Sequence, residues 1–326
     1  MKKVAIIGAG ISGLFIANLL KRNLNYQITV YEKSTSVELE NGYGIQLSVN
    51  SIKLLNEIGF ESLQNNEKFN PKKIHFYSNN SSNKICELNV SDFNSKGCKY
   101  TTLKRSSLIN FLKRDLEDLI LTGYNISQIE HQDQKVKLYF ENNQIKECDH
   151  LIISDGIFSK SKNLISGNIS KPKYNDTLAI RATLKKPPED IDDKNISLFL
   201  ASDFHHVIYP VNFSGDLNII AIMKHQLSTD KQNNYSLFNE NSFIKTVLDK
   251  TPAAFKNISN DLENLKIFPV FISDDFYEIK SDKIHLIGDA FFAFSPSFAQ
   301  GASQSLEGAY ELFKDIENSE ERNFFK

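Results

Sequence analysis

Val4-Ala5-Ile6-Ile7-Gly8-Ala9-Gly10-Ile11-Ser12-Gly13 opens the chain, and Ile28-Thr29-Val30-Tyr31-Glu32 completes the unit it begins. Val4–Ile7 is a short, wholly apolar run, the signature of a strand buried on both faces of a parallel sheet. Leu14, Ile16, Ala17, Leu19 and Leu20 then recur at helical spacing, and the second apolar run is the next strand. Between strand and helix stands Gly8-x-Gly10-x-x-Gly13. In such a turn the first glycine permits the tight bend. The second lets a pyrophosphate approach the backbone, and the third lets helix and strand pack closely. The helix start adds unpaired N–H groups and a positive dipole end. Glu32 ends the second strand about 20 residues on, where a carboxylate accepts from ribose hydroxyls. This is a dinucleotide-binding βαβ unit. Its acid disfavours a 2′-phosphate, and the motif alone does not separate FAD from NAD.

The rest of the composition bounds the answer. The chain has 326 residues, enough for roughly two domains of about 150 residues. Its 40% hydrophobic content excludes a disordered chain. A formal net charge of −2 offers nothing to nucleic acid or an anionic membrane. Cys86, Cys98 and Cys148 are odd in number and lack CxxC spacing, which argues against a disulfide framework or a cysteine zinc site. No apolar run approaches the ~20 residues of a bilayer span. Met1-Lys2-Lys3 leads into too short an apolar stretch for a secretory signal. A cytoplasmic protein without integral membrane contact is expected.

Helices are expected over residues 50–58, over Arg105–Leu121 and over Gly301–Glu317. Strands are expected at Ile74–Tyr77 and Ile85–Leu88, at Lys135–Phe140, at His150–Ile153 and at Lys283–Ile287. Residues 172–272 change character. Thr177–Leu184, Ser197–Leu200, Val207–Val211 and Leu217–Met223 read as strands, with Pro187-Pro188 and polar turns among them and one helix at Ser242–Asp249. The expected fold class is α/β: a Rossmann-like, mostly parallel sheet with a β-sheet substrate domain inserted in the chain. The first domain is discontinuous, taking 1–71, 101–171 and 274–326. The inserted one takes 72–100 and 172–273.

Two more strand ends carry acids and favour FAD over NAD. Leu286-Ile287-Gly288-Asp289-Ala290 delivers Asp289 to a turn, followed by Ser295-Pro296 and Ala299-Gln300-Gly301 at a helix start. A carboxylate there can bind ribityl hydroxyls, and a helix N-terminus aimed at the flavin pyrimidine would stabilise reduced-flavin charge. Ser154-Asp155-Gly156-Ile157-Phe158-Ser159 ends another buried strand.

From residue 1 to about 315 the chain resembles the flavoprotein aromatic hydroxylases, the single-component FAD monooxygenases related to para-hydroxybenzoate hydroxylase. The salicylate and 3-hydroxybenzoate 6-hydroxylase branch is the most similar. Gly44-Ile45-Gln46-Leu47-Ser48-x-Asn50, Arg105-x-x-Leu108, Asp155-Gly156-x-x-Ser159, and Gly288-Asp289-Ala290 through Pro296 to Gln300-Gly301 match its motifs, as do Gln304 and Glu307-Gly308-Ala309. His205-x-x-x-Tyr209-Pro210 resembles its substrate-domain strand.

The resemblance implies bound FAD and NADH or NADPH as co-substrate. O2 is activated as a flavin C4a-hydroperoxide that hydroxylates a small phenolic or hydroxybenzoate-like aromatic. It implies FAD contacts from Gly8, Gly10, Ser12, Gly13, Glu32, Lys33, Gln46, Arg105, Asp155, Gly156, Asp289, Gly301, Ala302 and Ser303. His205 is the expected base and Gln300 a second catalytic candidate. Tyr209, Phe294 and Pro296 are expected in the substrate pocket, and no metal is needed. His206 is the alternative alignment for the base, and Tyr209 reads equally well as core. A homodimer is kept open.

The departures are specific. Phe292 replaces the histidine usual after the Gly-Asp-Ala turn. Lys162 is the nearest basic residue where an arginine usually follows the Asp-Gly motif, and it loses the planar fork. An aromatic–Arg pair becomes Ile180-Arg181. The chain stops earlier than most relatives, so a fragment and a short variant both stay open. Absence of Trp demotes the flavin halogenases and isoprenoid reductases. Two alternatives remain: a ubiquinone-pathway-type hydroxylase of a prenylated phenol, and a flavin-binding protein without hydroxylase activity.

Overall fold

The computed structural model describes residues 1–37, 43–132, 135–166, 171–184, 191–274, 279 and 281–324. The Pro187-Pro188 turn lies outside them, as does the side chain of Phe298.

A five-stranded sheet carries the first half of the site. Its strands run Ile284–Leu286, His150–Ile153, Lys2–Ile7, Tyr26–Glu32, Ile120–Thr122 in spatial order, and all neighbours are parallel. Lys2–Ile7 is central, which is why its side chains are apolar on both faces: Ile6 contacts one core layer and Ala5 and Ile7 the other. Helices Ile11–Lys21, Arg105–Lys113 and Gly301–Phe324 bury their apolar faces in the first layer. All three strand ends that carry acids (Glu32, Asp155, Asp289) lie at the C-terminal edge of this sheet, where ligands of open α/β sheets bind.

The helix expected over Arg105–Leu121 ends at Lys113. Ile120–Thr122 is instead an edge strand paired with Val30–Glu32, so sheet pairing overrides a helical periodicity that continues through the segment. The expected strand Lys135–Phe140 is flanked in a small antiparallel sheet by Ile126–Gln132 and Ile145–Cys148, two strands the sequence periodicity does not show.

A seven-stranded sheet takes two strands from residues 72–100 and five from 172–273. In order they are Glu263–Ile272, Lys173–Leu184, Leu217–Lys224, Phe204–Pro210, Ile196–Leu200, Lys73–Ser78 and Lys84–Asn89. One face packs on helices Asn241–Leu248 and Ala253–Ser259 through Ile208, Ile219, Val247 and Phe255. The other face looks away from those helices. There Gly44–Leu47 and Thr101–Lys104, paired with each other, meet it: the Gly44 N–H donates to Asn218 Oδ1 at 2.5 Å, and Thr102 Oγ1 donates to the Pro210 carbonyl at 2.6 Å.

Candidate active site

Backbone sterics fix the glycine-rich turn. Gly8 has φ +102°, and a Cβ there would lie 2.6 Å from the Ser154 carbonyl oxygen, so both conformation and space require glycine. The Ser154 hydroxyl donates to the Ile7 and Gly8 carbonyls at 2.9 and 3.0 Å, tying the turn to the neighbouring strand end. Gly13 packs against the Gly8 carbonyl and the Ser154 hydroxyl. Gly10 differs: a Cβ would meet nothing within 4 Å. The fold does not need that glycine, and the open space beside it belongs to a cavity of about 540 Å³. Room at a glycine the protein could fill is what a closely approaching pyrophosphate calls for, so these residues fit a dinucleotide.

That cavity is also lined by Glu32, Lys33, Arg105, Asp155 and Gly156, five of the residues expected to contact FAD. Glu32 Oε2 accepts from the Ala9 N–H at 2.9 Å, and Oε1 accepts from the Ser34 N–H at 3.0 Å. Each oxygen keeps a lone pair for a ribose hydroxyl. Asp155 Oδ2 accepts from the Ser161 N–H and hydroxyl at 3.1 and 2.7 Å, while its buried Oδ1 has no hydrogen-bond partner among the described residues. Lys162 is 4% exposed, and burial holds its ammonium below the usual range with Asp155 opposing. It is not among the residues that line the cavity. Lys160, two residues before it, is exposed, lines the cavity beside Lys33 and Arg105, and pairs with Glu141 at 2.7 Å.

A second cavity, of about 480 Å³, shares Arg105 and Phe158 with the first. Its walls are mostly apolar: Ile157, Ala179, Phe268 to Phe271, Ala293, Phe294 and Pro296. Its polar groups are Tyr43, Arg105, Arg181 and Asp289. Asp289 opens into this hollow, yet enough protein surrounds it that desolvation raises its carboxyl pKa, and Arg105 pulls the other way. The Gly-Asp turn reaches the glycine-rich helix directly. Gly288, at φ +59°, would place a Cβ 2.5 Å from Ser12 Oγ. The two turns from opposite ends of the chain are thus in contact.

The expected residues divide. Phe294 and Pro296 line the second cavity. Gln46 instead accepts from the Tyr100 hydroxyl at 2.8 Å. Gln300 is exposed at the start of the Gly301–Phe324 helix. There Gly301 lines a third cavity of about 350 Å³ that shares Asp289 and Phe294 with the second, while Ala302 and Ser303 turn inward. Phe292 lines the third cavity, its ring 4.7 Å from that of Phe294. Tyr209 is 2% exposed and packs against Gly44, and burial raises its phenol pKa strongly. It stands behind the cavity wall, as its core reading had it.

The adjacent histidines face opposite ways. His206 is in the core, stacked on Phe199 at 4.4 Å with parallel rings, and burial depresses its pKa to about 3. His205 lies on the opposite face of the sheet, in the cross-strand row Phe268–Ala179–Ile222–His205. Phe268 and Ala179 line the second cavity, and Ile222 stands between them and His205. Burial lowers the His205 pKa and favours the neutral ring. Sequence reasoning missed Tyr43, Phe158 and the Phe268–Phe271 wall, and noted Arg181 only as part of a departure.

Comparison with known proteins agrees with this geometry. The family described as "FAD binding domain" matches residues 1–320. The chain is 23% identical to 6-hydroxynicotinate 3-monooxygenase of Bordetella bronchiseptica over 97% of its own length and 83% of that protein's. It is 22% identical to salicylate hydroxylase of Pseudomonas putida, covering 95% and 76%. Among solved structures, Klebsiella pneumoniae HpxO complexed with FAD and uric acid superposes with a TM-score of 0.82 at 17% identity, covering 96% of this chain and 79% of that one. The chain belongs to the FAD-binding-domain family, within its flavoprotein aromatic hydroxylases.

Proposed function

We propose that this FAD-dependent monooxygenase uses NAD(P)H and O2 to hydroxylate a small phenolic or hydroxybenzoate-like aromatic. The observation that carries the reading is a neighbouring pair of cavities with lining residues in common. One is lined by the glycine-rich turn and Glu32, the other is apolar with Asp289 at its edge, and Arg105 and Phe158 belong to both. Bound FAD would supply the redox chemistry and the activation of O2. Gly8, Gly10 and Glu32 would hold its adenosine diphosphate half, and Arg105 and Asp289 its other half. The phenylalanine-rich wall would exclude water from the reacting ring. His205 is the proposed base for the substrate hydroxyl. It does not line the cavity, Ile222 standing between it and the wall residues, so the proton would pass through intervening water. The domain division at residues 72–100 and 172–273, a cytoplasmic location and a homodimer belong to the same proposal.

A prenylated phenol is the second reading. Phe291 and Phe294 are 43% and 47% exposed, and the third cavity offers an apolar channel beside the second. The test is a screen of hydroxybenzoates, hydroxypyridine carboxylates and prenylated phenols on the FAD-loaded protein. NAD(P)H oxidation and product mass are followed together. Oxygenated product from one class is the expected result. FAD binding with no oxygenated product from any class would leave a flavin-binding protein without hydroxylase activity. His205→Ala should retain FAD and lose most product formation, and an unchanged rate removes His205 from the mechanism.

A further inference from the structure

Arg105 lines both cavities and follows directly on the strand Thr101–Lys104. Its N–H donates to the Tyr43 carbonyl at 2.8 Å, which closes the end of the ladder that pairs Thr101–Lys104 with Gly44–Leu47. Tyr43 lines the 480 Å³ cavity, and its hydroxyl donates to the Asn264 carbonyl at 2.7 Å. One residue on, the Gly44 N–H donates to Asn218 Oδ1 at 2.5 Å. Asn218 is 2% exposed and lines neither cavity. Its strand, Leu217–Lys224, is paired on both sides within the seven-stranded sheet, with Asn218 opposite Thr183 and Tyr209. The backbone that carries this amide is therefore firmly held.

The fit at Gly44 is close. A Cβ there would lie 2.8 Å from Asn218 Cβ and Cγ and from a ring carbon of Tyr209, so only a bare backbone can approach the sheet this far. Gly44 is buried, and a buried N–H without an acceptor is costly. Removing the Asn218 oxygen therefore favours withdrawal of Gly44 from the sheet, toward water. The same hairpin makes two more links to the ladder. Thr102 Oγ1 donates to the Pro210 carbonyl, and Lys104 Nζ donates to Asp216 Oδ2 at 2.7 Å. Those two act on Thr101–Lys104. Asn218 acts on the residue next to the carbonyl that Arg105 uses.

We infer that Asn218 is a positioning residue for the cofactor site: through the Gly44 N–H and the Tyr43 carbonyl it sets where Arg105 stands between the two cavities. The seven-stranded sheet supplies Ala179 and Phe268 to the apolar cavity. Asn218 registers that sheet against the residue which the apolar cavity shares with the glycine-rich turn's cavity. This rests on the proposal that Arg105 holds bound FAD, and its readout is flavin binding, not turnover.

The test is a double-mutant cycle on the full chain. FAD affinity is measured by quenching of flavin fluorescence, at a temperature where melting curves show every variant folded. Arg105→Gln should weaken FAD binding about tenfold. Asn218→Ala should weaken it about fivefold, and the double variant should match Arg105→Gln within about twofold, because both changes remove one contact. Asn218→Ser, whose hydroxyl stops one atom short of the Gly44 N–H, stands in if Asn218→Ala does not fold. Asn218→Asp keeps the acceptor oxygen and should bring affinity back to within about twofold of wild type, even where burying a carboxyl lowers the melting temperature. A lowered melting temperature with wild-type FAD affinity in Asn218→Ala would mean that Asn218 serves only the fold. Losses that multiply in the double variant would mean that it acts without Arg105, and wild-type affinity in Arg105→Gln would leave no contact to position. Each of these three overturns the proposal. The predicted cycle without any oxygenated product would sink the hydroxylase reading and leave the positioning standing.

Discussion

Gly288 and Ser12 touch. The Gly-Asp turn near the end of the chain and the first turn of the N-terminal helix are packed so closely that a methyl group on Gly288 would stand 2.5 Å from the Ser12 hydroxyl oxygen. Gly288→Ala is expected to cost about 1–3 kcal/mol, from its positive φ and this contact together. It should also lower the flavin-to-protein absorbance ratio of the purified protein. A variant with wild-type melting temperature and full flavin would show that the two turns can separate without consequence.

Gly10→Val makes the opposite case. Nothing surrounds that position, and its backbone is extended at φ −84° and ψ −173°. Thermal stability without FAD should change by no more than about 0.5 kcal/mol. FAD affinity, measured by quenching of flavin fluorescence, should fall by about tenfold or more because the side chain occupies the pyrophosphate's approach. Equal losses in both measurements would mean that Gly10 serves the fold.

Glu32→Gln probes the second strand end. The carboxylate accepts two backbone N–H bonds, one through each oxygen, whereas an amide accepts through one only. The lost bond is worth about 1–3 kcal/mol. Both stability and FAD affinity should therefore drop, with Glu32→Ala worse than Glu32→Gln. An affinity loss without any loss of stability would place Glu32's role entirely on the ligand.

Stability should fall in mild acid. His206 has a folded-state pKa of about 3, depressed by burial, against about 6.5 in the unfolded chain. Its folded pKa is the lower one, so the unfolded chain takes up the proton first. Stability is full above about pH 6.5 and declines as pH falls from there toward 3, by about 1.4 kcal/mol per unit for this group alone. At pH 5 that amounts to about 2 kcal/mol. His150 and His285, stacked 6.1 Å apart and also held below the usual range chiefly by burial, add to the same trend. In urea melts at pH 7.5 and pH 5, His206→Phe should flatten the dependence, and an unaltered slope would refute the assignment to His206.

What was legible in the sequence was local. Val4 to Glu32 declares strand, turn, helix and strand by period alone, and the acids at residues 32, 155 and 289 end strands of one parallel sheet. Ile120–Thr122 was not legible, because its residues continue the helical period and only pairing with Val30–Glu32 decides between the two. The strand Glu263–Ile272, which builds the wall from Phe268 to Phe271, was hidden by Pro269, tolerated there because this is an edge strand. The choice of His205 over His206 rests on the resemblance alone, since periodicity does not separate them. Phe204, His206 and Ile208 alternate with His205, Val207 and Tyr209, and both sets are largely apolar because both faces of the sheet are covered.

That double covering makes the length of the Ala201–Asp203 turn matter more than its composition. Leu200 pairs with His205 across it, so one inserted residue would rotate the following strand by half a pleat. The imidazole now sealed between Phe199 and Phe255 would swing toward the first domain, and its neighbour would be driven among aromatic rings. Insertions and deletions should therefore be rare in this hairpin across relatives, even where its three turn residues vary freely.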